Sequence, residues 1–240
     1  MPRIELKTGL RLAGGFVLGR SLGRGNGTEV WTARRAEGPE GSEVALKVLV
    51  DKGRYPRLCA QAAAMGRLFG TERIVRLVAS HLYDDPIFLA FEPVISGNLA
   101  ARLVEQGPLG EREALEVFRD VLRGLAEAHD RGVPHGDLKP PNVLLDGNGR
   151  AFLTDFEGDI IPTDETPPDA TPSRPPTIAS DLAAAGALLH TMSVPGCHAR
   201  LAPLVARCAA TAVGKAAASA RLILVEVDAT LAALAAAQNL

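Results

Sequence analysis

Residues 133–158 constrain this chain more than any other stretch. They read Val-Pro-His-Gly-Asp-Leu-Lys-Pro-Pro-Asn-Val-Leu-Leu, then a polar turn, then Leu-Thr-Asp-Phe-Glu-Gly. Asp137 can accept a proton from a hydroxyl group. Asn142 can offer an amide oxygen to a metal ion, and Asp155, beyond a short hairpin, can offer a carboxylate to the same ion. Moving a phosphoryl group asks little covalent chemistry of a protein. It asks for an oriented nucleophile and for hard oxygen ligands around Mg²⁺. The order Asp, Lys, Asn, hairpin, Asp supplies both. A polar turn between two core strands would not explain why these residue types fall together.

The strings HGDLKPPN and LTDFE resemble the catalytic loop and metal loop of the eukaryotic-type (bacterial Hanks-type) serine/threonine protein kinase family. With gaps, the resemblance extends over most of the chain, in a divergent and shortened form. It implies Asp137 as catalytic base and Lys139 as the residue steadying the γ-phosphate. Asn142 and Asp155 are implied as Mg²⁺ ligands. Lys139 follows the base at the family's serine/threonine-type position.

At 240 residues the chain can form one large domain or two lobes. Its 47% apolar and 22% charged residues suit a soluble globular protein. A net charge of −2 gives no electrostatic reason to expect nucleic acid or an anionic membrane as partner. Cys59, Cys197 and Cys208 lack metal-like spacing and read as reduced core thiols of a cytoplasmic protein. There is no signal-peptide pattern and no uncharged apolar run of about 20 residues, so no membrane span is expected.

In the front part, Phe16–Leu22 reads as a strand running into Gly23-Arg24-Gly25-Asn26-Gly27-Thr28. Glycines let backbone approach phosphates closely. Gly23 and Gly25 match the first two glycines of the family's phosphate-covering loop. Thr28 stands at the third, and the neighbouring Gly27 is the candidate for the missing flexibility. Val44–Val50 reads as a buried strand carrying Lys47, which the resemblance assigns to the α- and β-phosphates. Val30 and Ala45 would cover the adenine, Glu92-Pro93-Val94 would be the hinge binding it through backbone groups, and Leu144 would close its pocket from below. Phe91 would limit the back pocket. The lysine's usual glutamate partner falls, on a helix predicted over 57–69, at Gln61. No acidic residue occurs between Arg54 and Thr71. An amide makes a hydrogen bond roughly half as strong as a charge-assisted one.

Behind residue 95, Glu111–Arg131 reads as a helix with an apolar stripe of Ala114, Val117, Phe118, Val121, Leu125 and Ala128, stopped by Gly132. By resemblance His135 is a core residue, stacked with Met65, Leu77 and Phe156. Gly136 replaces an arginine that grips an activation-loop phosphate in many relatives. Glu157 replaces the glycine of Asp-Phe-Gly, either as a second Mg²⁺ ligand or as a block to the loop's flip. Residues 159–179 are rich in proline and read as a loop in the activation-segment position, without an Ala-Pro-Glu anchor. Ser180 is expected to cap a helix over 181–192 whose Asp181 bonds the catalytic-loop backbone. Two helices follow, near 201–210 and 222–237, with one helix of the family's back lobe missing and Lys215 near a structural arginine's place.

The expected fold is α+β: a two-lobed protein-kinase-like fold with an antiparallel β front lobe (1–94) and a mainly helical back lobe (95–240). The expected function is ATP- and Mg²⁺-dependent serine/threonine phosphorylation of a protein substrate. Two alternatives stand beside it. One is a pseudokinase that binds nucleotide or a protein partner without turnover. The other is a small-molecule phosphotransferase of the aminoglycoside or choline kinase type, which shares HGD and DFE.

Overall fold

The computed structural model describes residues 5–36, 43–157, 176–212 and 219–237. Of these, residues 5–36, 43–69 and 75–93 form one compact unit, and residues 70–74, 94–157, 176–212 and 219–237 form a second.

The first unit is an antiparallel sheet with one helix. Its strands are β1 (Arg11–Leu12), β2 (Phe16–Gly25), β3 (Thr28–Arg35), β4 (Glu43–Leu49), β5 (Leu77–His81) and β6 (Phe88–Phe91). They hydrogen-bond in the order β1-β2-β3-β4-β6-β5. Strand β2 turns into β3 through Asn26-Gly27, both with positive φ (50° and 73°), the backbone of a tight I′ hairpin turn. Side chains alternate along β4. Val44, Leu46 and Val48 enter a core with Phe16, Leu18, Trp31, Ala33 and Phe88, while Ala45 and Lys47 lie on the opposite, half-buried face. The strand is therefore one-sided rather than buried on both faces as its composition suggested. Helix α1 (Tyr55–Arg67) carries Pro56 in its first turn and buries Leu58, Ala60, Gln61, Ala64 and Met65. It starts and ends two residues before the predicted 57–69.

The second unit is mainly helical. Helix α2 (Leu99–Gln106) was not expected. Asn98 caps it by accepting the Ala101 N–H at 2.9 Å, and Gly107 at φ 79° ends it. Helix α3 (Glu111–Asp130) buries the predicted stripe, with Leu115 and Leu122 added. A two-stranded hairpin, β7 (Val143–Leu145) and β8 (Ala151–Leu153), lies against it. Gly124 makes that approach possible, since a methyl group there would lie 2.9 Å from Leu153 Cδ1 and 3.0 Å from the Arg73 carbonyl oxygen.

Helix α4 (Ile178–Met192) is capped by Thr177, not Ser180. Thr177 Oγ1 accepts the Ser180 N–H at 3.0 Å, and Ser180 Oγ accepts the Thr177 N–H at 2.9 Å. Ser180 is the return half of a capping box. Ile178 and Ala179, expected in the loop, are thus helical; residues 158–175 lie outside the described residues, as does Lys215. Helix α5 (His198–Ala212) follows a 3₁₀ turn at Pro195–Cys197, and among the described residues no further helix lies between it and α4. Helix α6 (Ala220–Ala237) packs on α3. Strand β5 begins at Leu77, and Ile74 before it makes an isolated parallel bridge to Leu153. All three cysteines are unpaired, and burial pushes the Cys208 thiol up to about 12. Among the described residues no helix is long and apolar enough to cross a membrane.

Candidate active site

The catalytic-loop candidates lie in the second unit, between α3 and the β7–β8 hairpin. Helix α3 ends at Asp130, Gly132 takes φ 65°, and Val133 is buried. The next residues are fixed by a buried carboxylate on α4. Asp181, 2% exposed, accepts the His135 N–H at 2.7 Å and the Gly136 N–H at 2.9 Å. His129, in the last turn of α3, donates through Nε2 to the same carboxylate at 2.8 Å. Three donors satisfying one buried charge is the condition under which such burial is tolerated.

His135 is fully buried, and its ring stacks on Phe156 with centroids 4.5 Å apart. Burial holds the imidazole below its ordinary value, against the pull of Asp181, Asp155 and Asp137. Its Nδ1 accepts the Asp137 N–H at 3.2 Å. It is a core residue, as the resemblance implied.

Asp137 follows. Its Oδ2 lies 2.6 Å from Lys139 Nζ and accepts Asn142 Nδ2–H at 3.1 Å. The same Asn142 nitrogen donates to the Asp137 carbonyl at 2.8 Å. Both contacts use the amide nitrogen, which leaves Asn142 Oδ1 as the ligand-capable atom of a 6% exposed residue. The hairpin register pairs Val143 with Leu153, and the Thr154 N–H donates to the Asn142 carbonyl at 3.1 Å. Asn142 and Asp155 therefore leave the same end of one hairpin, where strands lie about 4.8 Å apart. Asp155 has φ 61°, in the left-handed region that costs a non-glycine residue roughly 1–2 kcal/mol. Leu144, at the middle of β7, is half-buried and faces Phe152 in the register.

These donors fit a magnesium ion. Among the described residues no group of three or more His, Cys, Asp or Glu side chains is poised for a metal. One carboxylate and one amide oxygen suit a cation that keeps waters and takes phosphate oxygens as its remaining ligands.

The other predicted site residues, Val94 excepted, lie in the first unit. Val30 pairs directly with Lys47, and Ala45 with Phe91, across neighbouring strands. Directly paired residues share a face, so Val30, Ala45 and Lys47 line the side of the sheet away from its core. Gly23 pairs with Val30 and Gly25 with Thr28. Thr28 is not a loop residue: it opens β3, is 6% exposed, and donates Oγ1–H to the Gly25 carbonyl at 3.0 Å. The Gly27 carbonyl accepts the Val50 and Asp51 N–H groups at 2.9 and 3.0 Å, which ties the turn to the end of β4. Glu92 donates its N–H to the Arg76 carbonyl at 2.9 Å and pairs its carboxylate with the Arg76 guanidinium; Val94 begins the second unit's next segment. Gln61 is 5% exposed.

Sequence reasoning missed three supporting residues, His129, Asp120 and Arg73. His129 carried one signal, a histidine in the final helical turn. Asp120, 4% exposed, accepts the Ala151 N–H at 3.1 Å and pairs with Arg73 Nε at 3.1 Å, fixing the far end of the hairpin. An aspartate inside an apolar helical stripe was the available sign of a buried partner.

An antiparallel sheet unit, a helical unit and this Asp-Lys-Asn-Asp arrangement define a protein-kinase-like protein. A family model described as the protein kinase domain matches residues 16–158, more than half of the sequence, and the chain belongs to that family. It is 36% identical over 156 residues to CBL-interacting protein kinase 17 of Oryza sativa subsp. japonica, covering 63% of this chain and 34% of that one. It is 31% identical over 157 residues to CBL-interacting serine/threonine-protein kinase 24 of Arabidopsis thaliana, covering 64% and 35%. The chain thus spans about a third of the length of these relatives. A crystal structure of a point mutant of the Mycobacterium tuberculosis PknI kinase domain superposes with a TM-score of 0.71 at 23% identity, covering 94% of this chain and 98% of that one. That likeness supports the fold.

Proposed function

We propose that this chain is an ATP- and Mg²⁺-dependent protein kinase domain that phosphorylates serine or threonine in a protein substrate. In this reading residues 1–94 are the nucleotide-covering lobe and residues 95–240 the lobe bearing the catalytic and metal loops. The observation that carries it is Asp137, held through its own carbonyl and carboxylate by Asn142 and contacted by Lys139 at 2.6 Å. A carboxylate so oriented can accept the substrate hydroxyl's proton as the oxygen attacks phosphorus. Lys139 neutralises charge on the transferring group. Asn142 and Asp155 would hold Mg²⁺, which supplies charge neutralisation on the phosphates. Lys47, with Gly23 and Gly25, would bind the phosphates, while Val30, Ala45, Leu144 and the backbone of Glu92 and Val94 would hold the adenine. A cytoplasmic location belongs to the same proposal and rests on three unpaired cysteines.

A second reading, a pseudokinase, is favoured by one observation. Gln61 is buried where the resemblance expects a glutamate to partner Lys47. Phosphate transfer from radiolabelled ATP to a generic protein substrate separates the two. Turnover by the parent, lost in Asp137→Asn, supports the kinase. Absence of turnover, with Mg-ATP at 100 times its Kd stabilising the fold by about 2.7 kcal/mol, supports the pseudokinase.

A further inference from the structure

Two departures from the family pattern meet in space. Gly136 has φ 85°, where any side chain would be strained. A methyl group on it would lie 3.3 Å from both Cβ and Oε2 of Glu157 and 3.0 Å from Pro176 Cβ. The Glu157 side chain and the Pro176 ring thus border the space over the Gly136 Cα, which stays exposed on its remaining side. The Glu157 N–H also donates to the His135 carbonyl at 3.0 Å. The backbone at His135 and Gly136 is therefore held from two sides, by Asp181 on the two N–H groups and by the Glu157 N–H on the His135 carbonyl. Asp155 sits between two inter-loop bonds, Thr154 N–H to the Asn142 carbonyl and Glu157 N–H to the His135 carbonyl, in a backbone conformation an aspartate adopts at a cost.

We propose that Glu157 is a positioning residue for the metal loop: its side chain, seated over the bare Cα of Gly136, locks Asp155 in its left-handed conformation so that the Asn142–Asp155 pair is preset for a divalent cation. The inference rests on the kinase reading for its metal and on packing for its mechanism. What Glu157 contributes is its length and its backbone anchor. Its side chain lies over Gly136, so a carboxylate bond to the cation is not part of its role. Gly136 and Glu157 act as one unit, because a side chain at 136 and a long side chain at 157 compete for the same space.

The test uses Mn²⁺ as the probe, titrated by its electron paramagnetic resonance signal in the presence of a non-hydrolysable ATP analogue. Glu157→Gln keeps the shape without the charge and is expected to hold the Mn²⁺ Kd within about twofold of the parent. Glu157→Gly is expected to raise it about tenfold, as a loss of roughly 1.4 kcal/mol implies. Gly136→Ala should weaken binding, and the double variant with Glu157→Gly should lose less than the two single losses combined. If Glu157→Gln weakens binding as much as Glu157→Gly, the carboxylate is itself a ligand and the proposal is overturned. An unchanged Kd in Glu157→Gly overturns it too. Amide exchange on the nucleotide-free protein reads the lock without any metal. The backbone N–H at position 157 should be protected in the parent and in Glu157→Gln, and unprotected in Glu157→Gly. A parent that binds no Mn²⁺ defeats the kinase reading, while the exchange pattern still decides whether residue 157 holds the loop.

Discussion

Gln61 isolates a question at the scale of one side chain. It occupies a buried position on α1 that the resemblance gives to a glutamate. An amide oxygen can accept a hydrogen bond from an ammonium group but brings no charge to it. Gln61→Glu is expected to raise turnover several-fold, measured as kcat/KM for ATP, because charge-assisted bonds are roughly twice as strong as neutral ones. An unchanged rate would show that the amide already suffices. Thr28 makes the same point in reverse. Its hydroxyl bond to the Gly25 carbonyl gives the turn an internal tie that glycine cannot make, so Thr28→Gly should increase amide exchange across 25–28.

At the scale of elements, the hairpin β7–β8 and helix α3 behave as one positioning device. Gly124 on α3 is the contact point, with Leu153 and the Arg73 carbonyl close against it. Gly124→Ala should destabilise the fold by about 1–3 kcal/mol, the usual cost of overpacking, read as a lowered midpoint in urea. It should also reduce turnover, since β8 leads directly into Asp155. Gly186 on α4 offers a contrast: a methyl group there would lie 2.7 Å from Cys208 Cβ and 3.2 Å from the Val205 carbonyl on α5. Gly186→Ala should cost comparable stability while leaving the KM for ATP unchanged.

These elements also show what was legible in the sequence. The stripe on α3 was visible because burial follows the helix period. The candidate loops around Asp137 and Asp155 could be singled out because the chemistry proposed for them needs particular residue types in order. The cap at Thr177 was missed because Ser180 is also a good cap, and only the reciprocal bond distinguishes them. Helix α2 was missed because eight residues give a weak periodic signal. The Gly136–Glu157 contact brings together residues from two loops, a proximity no local pattern encodes.

For the molecule as a whole, the buried His135 makes a prediction about pH. Its folded value is depressed, chiefly by burial, below the ordinary 6.5. The unfolded chain therefore binds a proton that the folded chain refuses. Stability is fully present above about pH 6.5 and is lost as pH falls below it, at up to roughly 1.4 kcal/mol per unit for one proton. The carboxylates held low by arginine contacts, Glu111 beside Arg200 and Asp130 beside Arg221, act only in a more acidic window. Melting temperatures between pH 7.5 and 5 should fall in the parent and fall less steeply in His135→Phe.

Asp181 stands 45 and 46 positions after the two backbone amides it accepts. During synthesis, every chemical group of residues 135–142 leaves the ribosome before the carboxylate that shapes their backbone. At roughly 5–20 residues per second, the nascent loop waits some seconds without its holder. Ribosome-stalled chains ending before residue 181 should therefore show fast exchange at His135 and Gly136, and chains carrying all of α4 beyond the exit tunnel should not. This protein cannot fix the backbone at His135 and Gly136 early, however quickly its sheet folds.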